Sequence, residues 1–128
     1  MLSMNLALIL FIIFTLIVSL FQLALALGAP WGKIAMAGKY PGKFPNKMRI
    51  AAVFQMFILL FFIWIALVKT GHVNPEWKNF SDSFIWAVFG FSLVATVLNT
   101  ITPSKWERII WMPISIILLV SSAIIAMN

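Results

Sequence analysis

An all-α bundle of four membrane-spanning helices is the fold class this sequence predicts, and three observations predict it. Hydrophobic residues make up 63% of the chain and charged residues only 9%, against roughly 25% charged in a soluble domain. The apolar residues fall into four runs. Each is long enough, at ~1.5 Å per helical residue, to cross a hydrocarbon core of ~30 Å. The six tryptophans gather near the ends of these runs, where indole rings favour the headgroup level. A soluble chain of 128 residues cannot bury so much apolar surface in one core, so lipid is the solvent for most of it. The length predicts a single domain over residues 1–128.

The first run, Leu6 to Leu27, carries no charge. Gly28 and Pro30 end it, the first as a left-handed stop and the second because proline cannot continue a helix. Ala24-Leu25-Ala26 has the small-residue form of a signal-peptide cleavage site. The apolar stretch exceeds the usual ~7–15 residues, however, and Met1 to Asn5 lacks Lys and Arg, so this run is expected to stay as a span. The second run, Ile50 to Val68, is expected to be capped by Asn46 and stopped at Gly71. The third, Phe84 to Ile101, is expected to take Ser81 as its N-cap. The fourth covers Ile109 to Met127. Ser104-Lys105-Trp106-Glu107 before it reads as a capping box, in which Ser and Glu reciprocally satisfy free backbone N–H groups. Pro113 should kink this helix, because it removes the N–H that the Ile109 carbonyl would accept. Trp31, Trp106 and Trp111 form one expected aromatic belt and Trp64, Trp77 and Trp86 the other, with about a third of the six instead packed inside.

With four spans, the first and third loops share a side. That side carries Lys33, Lys39, Lys43, Lys47, Arg49, Lys105 and Arg108, and the opposite side only Lys69 and Lys78. Short loops obey the positive-inside bias. The sequence therefore predicts loops one and three in the cytoplasm and both termini outside, in a multi-pass protein of the cell membrane. The same bias accounts for the net charge of +6 without nucleic acid, and the basic residues suit anionic lipid headgroups.

Several chemistries lack their residues. With no cysteine in the chain, disulfides, thiolate catalysis and cysteine-bound metal are excluded. His72 is the only histidine and reads as a solvated loop residue, so neither a metal cluster nor a Ser-His-acid arrangement is expected. No Asp, Glu or His lies deep in a span, where a proton-coupled transporter usually needs one. No phosphate-loop motif occurs. No cofactor is expected, and the reading is non-enzymatic.

Polar residues within the spans keep to faces. Thr15, Ser19 and Gln22 share one on the first helix, as do Ser92, Thr96 and Asn99 on the third. Gln55 lies in the second helix, and Ser115 and Ser122 in the fourth. In lipid these groups should turn inward and bond between helices. Gln22, Gln55 and Asn99 fall at one depth, near the first-loop side. With Arg49, Glu107 and Arg108 close by, they are expected to form a polar vestibule that binds a lipid headgroup or small polar ligand, with Arg49 contacting either a polar side chain, Glu107 being its natural protein partner, or the bound headgroup. In the first loop, Pro41-Gly42 suits a type II turn. Trp31, Ile34, Met36, Tyr40 and Phe44 are expected to dip into the interface while Lys33, Lys39 and Lys43 stay wet.

The string Ala24-Leu25-Ala26-Leu27-Gly28-Ala29-Pro30-Trp31-Gly32, with Phe44-Pro45 and Arg49, resembles a group of small four-helix bacterial membrane proteins. Thr102-Pro103-Ser104, followed by Glu107-Arg108 and Trp111, fits the same group. The chain departs from the group's pattern at Ala37-Gly38, where two glycines are usual, and at Phe44, where Leu is usual. The resemblance implies the four-helix fold and a bacterial membrane, and carries no assigned activity. Together these readings predict a lipid- or partner-binding accessory protein, with a small transporter or exporter acting as a homodimer as the alternative.

Overall fold

The structure, a computed structural model, describes residues 3–128. Four α-helices dominate it: α1 (Met4–Ala26), α2 (Asn46–Lys69), α3 (Lys78–Ile101) and α4 (Lys105–Met127). All four are long and apolar enough to cross a membrane. Each begins two to six residues before its apolar stretch, because backbone groups near the headgroups still need partners and extending the helix supplies them. Two short 3₁₀ turns, Gly32–Ile34 and Met36–Gly38, give the first loop its shape, and a third, Pro75–Trp77, leads into α3.

Several expected boundaries move. The N-cap of α2 is Pro45, and Asn46 is already helical. Ser81 lies inside α3, where its hydroxyl donates to the Lys78 carbonyl at 2.8 Å. Asn46 is thus the first residue of its helix and Ser81 the fourth of its own, and both helices begin without a side-chain cap. The stops at Gly28 and Gly71 hold, with φ of +102° and +84°, and Gly42 turns the first loop with φ of +79°, values that favour glycine because it lacks a Cβ. Helix α4 runs through Pro113 as one element.

The helices pack in the cyclic order α1–α2–α3–α4, and α4 closes the ring on α1. The outer surface is apolar, with Ile13, Leu20, Phe54, Leu93, Val97 and Ile116 among the exposed side chains. The main core fills the half of the bundle nearer the termini, around Phe11, Phe62, Ile65, Ile85, Val88 and Ile125. A smaller cluster, Leu25, Phe44 and Ala52, lies under the first loop.

The α2–α3 seam is the thinnest of the four. It is closed at the second-loop end. There Phe62 meets Phe91 edge-on at 5.2 Å and Phe61 meets Phe84 at 5.2 Å, a favoured aromatic geometry. Asp82 accepts from Lys78 at 2.9 Å and pairs with the largely buried Lys69 at 3.3 Å, tying the end of α2 to the start of α3. Of the tryptophans, Trp31, Trp77, Trp86 and Trp106 are exposed. Trp64 and Trp111 turn inward to hydrogen bonds, with Asn74 and with the Ile34 carbonyl.

Candidate functional site

A cavity of about 850 Å³ lies between the two apolar clusters, within the ~300–1,000 Å³ typical of ligand sites. Its far end is closed by Phe11, Phe62 and Phe91, and its near end by Ile34–Ala37 of the first loop and Thr102-Pro103 of the third. Ala51 of α2 and Val94, Leu98 and Ile101 of α3 line it and are also exposed. The cavity therefore opens sideways through the α2–α3 seam, toward the surrounding acyl chains.

Its polarity is graded. Gln22, Gln55, Asn99 and Glu107 converge on the walls at the first-loop end, so the shared depth of the three amides is matched by a shared space. All three are partly buried. Asn99 Nδ2 lies 3.5 Å from the Trp111 carbonyl. The Gln22 and Gln55 amides have no side-chain hydrogen bond among the described residues. About 10 Å further along α1, Thr15 also lines the cavity, and it is only 1% exposed. Its hydroxyl is the one buried side-chain polar atom with no partner among the described residues. Most of the remaining wall is aliphatic or aromatic.

Glu107 is 6% exposed, a degree of burial that a carboxylate tolerates only with compensating hydrogen bonds. The expected capping box forms by half. Ser104 Oγ accepts from the Glu107 N–H at 3.3 Å, but the Glu107 side chain does not fold back. It reaches the first loop instead, where Oε2 accepts from the Ala37 N–H at 3.0 Å. The Ser104 N–H turns to Thr102 Oγ1, while Ser104 Oγ donates to the Lys33 carbonyl at 2.8 Å. With Trp111 Nε1 donating to the Ile34 carbonyl at 2.8 Å, three hydrogen bonds fasten the first loop to α4. The loop is thus a lid over the bundle end. Phe44 is buried beneath it, Trp31 stacks beside Phe21, and Lys33, Lys39 and Lys43 remain exposed.

The two arginines do not join the site. Arg49 Nε donates to the Phe44 carbonyl at 3.1 Å, and its guanidinium packs on Gly28, where a Cβ would lie 2.7 Å from Nη2. It clamps the two ends of the first loop together and forms no ion pair with Glu107, the protein partner expected for it. Arg108 donates to the Thr102 carbonyl. Neither lines the cavity. The spans' hydroxyls also differ from expectation. Ser19, Ser92, Thr96, Ser115 and Ser122 all donate to carbonyls of their own helices, which satisfies them without a neighbouring helix. Sequence reasoning did not find the lining contributed by Ala35, Ala37 and Thr102. These enter through main-chain folding of two loops, for which the residue types give no signal.

Comparisons with protein-family models, with curated proteins and with solved structures return no match.

Proposed function

We propose that this chain is a non-enzymatic accessory protein of the bacterial cell membrane that binds a single-chain amphiphile in the cavity between α2 and α3. The observation that carries the reading is the graded wall: amides and a carboxylate at one end, apolar side chains beyond, and a lateral opening onto lipid. From the Gln22 level to Phe11 the cavity spans ~16 Å, which suits an alkyl chain of about twelve carbons. The seven cations on the face of loops one and three support a cytoplasmic location for that face, with both termini outside.

The test uses monododecyl glycerol with a diazirine midway along its tail, added to the protein in lipid nanodiscs. Labelling is expected on α2 and α3 peptides around Leu59 and Val94, which line the cavity at mid-tail depth. Ala95→Phe, which fills the cavity from α3, should abolish it while leaving helix content unchanged. Labelling confined to outward-facing residues, or unaffected by Ala95→Phe, would overturn the reading. A second reading, a small dimeric transporter, draws on Thr15, Ser92 and Ser115, which carry polarity beyond the amide level. Flux of a dodecyl compound across proteoliposomes, lost in Ala95→Phe, would favour it.

A further inference from the structure

We infer that the head recognised in this cavity is a hydrogen-bond-donating cation, an alkylamine, and not an anionic headgroup. The inference rests on the amphiphile-binding reading and adds the chemistry of the head. Charge complementarity carries it. Glu107 is the one ionisable side chain on the cavity wall among the described residues. The two arginines expected to receive an anion are committed elsewhere: Arg49 to the Phe44 carbonyl and Arg108 to the Thr102 carbonyl. Lys33, Lys39 and Lys43 are exposed outside the cavity.

A carboxylate accepts hydrogen bonds and donates none. Oε2 of Glu107 holds the Ala37 N–H, while Oε1 has no hydrogen-bonding partner among the described residues. An ammonium carries three donors. One goes to Oε1 and the others to the amide oxygens of Gln22 and Gln55, which line the same end. Trp111 and Phe44 form part of that wall, and aromatic faces favour a cation over an anion. Thr15 supplies an independent sign that the cavity is shaped for a partner. Its hydroxyl, buried and unpaired, has not turned to its own helix as the other span hydroxyls have. It faces the stretch that the tail of the ligand would cross, at a depth where a polar group on the chain would find a hydrogen bond.

The experiment is competition against the diazirine-labelled dodecyl glycerol in nanodiscs of phosphatidylcholine, with dodecylamine and lauric acid compared at equal measured mole fractions in the bilayer. Dodecylamine is expected to compete about tenfold better than laurate, the usual scale of a charge-assisted hydrogen bond. Glu107→Gln should erase that preference. It keeps an oxygen for the Ala37 N–H, so thermal stability should change little. Asn99→Asp places a second carboxylate on the same wall and should enlarge the preference, which keeps the inference testable if the Gln variant fails to fold. Laurate competing as well as dodecylamine in the wild type, or a preference that survives Glu107→Gln, would overturn the amine head while leaving the cavity reading intact. Absence of specific labelling by the glycerol probe in the wild type would overturn both.

Discussion

Gly32 has no room for a methyl group. A Cβ there would lie 1.8 Å from the Tyr40 carbonyl oxygen and 2.7 Å from that of Gly42. The Gly32 N–H also donates to the Gly42 carbonyl at 2.9 Å, which folds the lid back on itself. Backbone on both sides cannot yield as a side-chain tip would. Gly32→Ala is therefore expected to destabilise the protein by about 3 kcal/mol. At Gly42 a Cβ meets open space, and the cost is confined to its positive φ, so Gly42→Ala should lose only about 1 kcal/mol. Denaturant unfolding in mild detergent, monitored by circular dichroism, measures both. Equal losses would mean that the close approach at Gly32 is not a constraint. At this scale part of the site was legible. Helical rise alone put Gln22, Gln55 and Asn99 at one depth. The partners of Arg49 and Glu107 were not legible, because they are the Phe44 carbonyl and the Ala37 N–H, and main-chain groups carry no residue signature. Ala37 holds φ of +58°, a left-handed conformation that an alanine does not announce.

Helix α4 begins at a joint where one side chain serves two elements. Ser104 Oγ accepts from the Glu107 N–H, capping the helix, and donates to the Lys33 carbonyl, holding the lid. Ser104→Ala removes both, with an expected loss of about 2 kcal/mol, one part for the cap and one for the crossing bond. Ser104→Thr keeps the hydroxyl and should retain most of it. Hydrogen exchange sharpens the distinction: in Ser104→Ala the amides of Ala35 and Gly38 should exchange faster, while those in the middle of α4 should not. Unchanged lid exchange would show that the Lys33 bond holds nothing. The sequence marked this start because Ser and Glu stand at capping spacing. It misplaced the starts of α2 and α3, where Asn46 and Ser81 offered caps that those helices pass over. Apolar runs report where lipid lies and not where helical hydrogen bonding begins, so each element starts before its run.

The whole molecule sorts its charge by face. Ser104, Glu107 and Trp111 bond the first loop directly to α4, which gathers seven cations on one end of the bundle. A cysteine at Asn128 should therefore react with a membrane-impermeant maleimide in intact cells, and a cysteine at Lys39 only after the cells are opened. Both positions are exposed, so burial would not account for silence at Lys39, and the reverse pattern would overturn the orientation. The four-helix fold was legible throughout, since composition and run length determine it. The cavity was not. It arises because the two apolar clusters leave space between them, a property of packing in three dimensions that no pattern along one helix contains.

The α2–α3 seam is tied at one end and parted at the other. Lys69 and Asp82, with the phenylalanines beside them, hold the helices together near the second loop, while Ala51, Val94, Leu98 and Ile101 border the opening near the first. A cleft built this way is sided. It meets the acyl chains of one bilayer leaflet and is shut to those of the other. If the basic face lies inward, as proposed, the accessible pool is the inner leaflet. An amphiphile arriving from outside the cell would then have to flip before it could bind, and occupancy would follow the composition of that leaflet, whatever the total in the membrane.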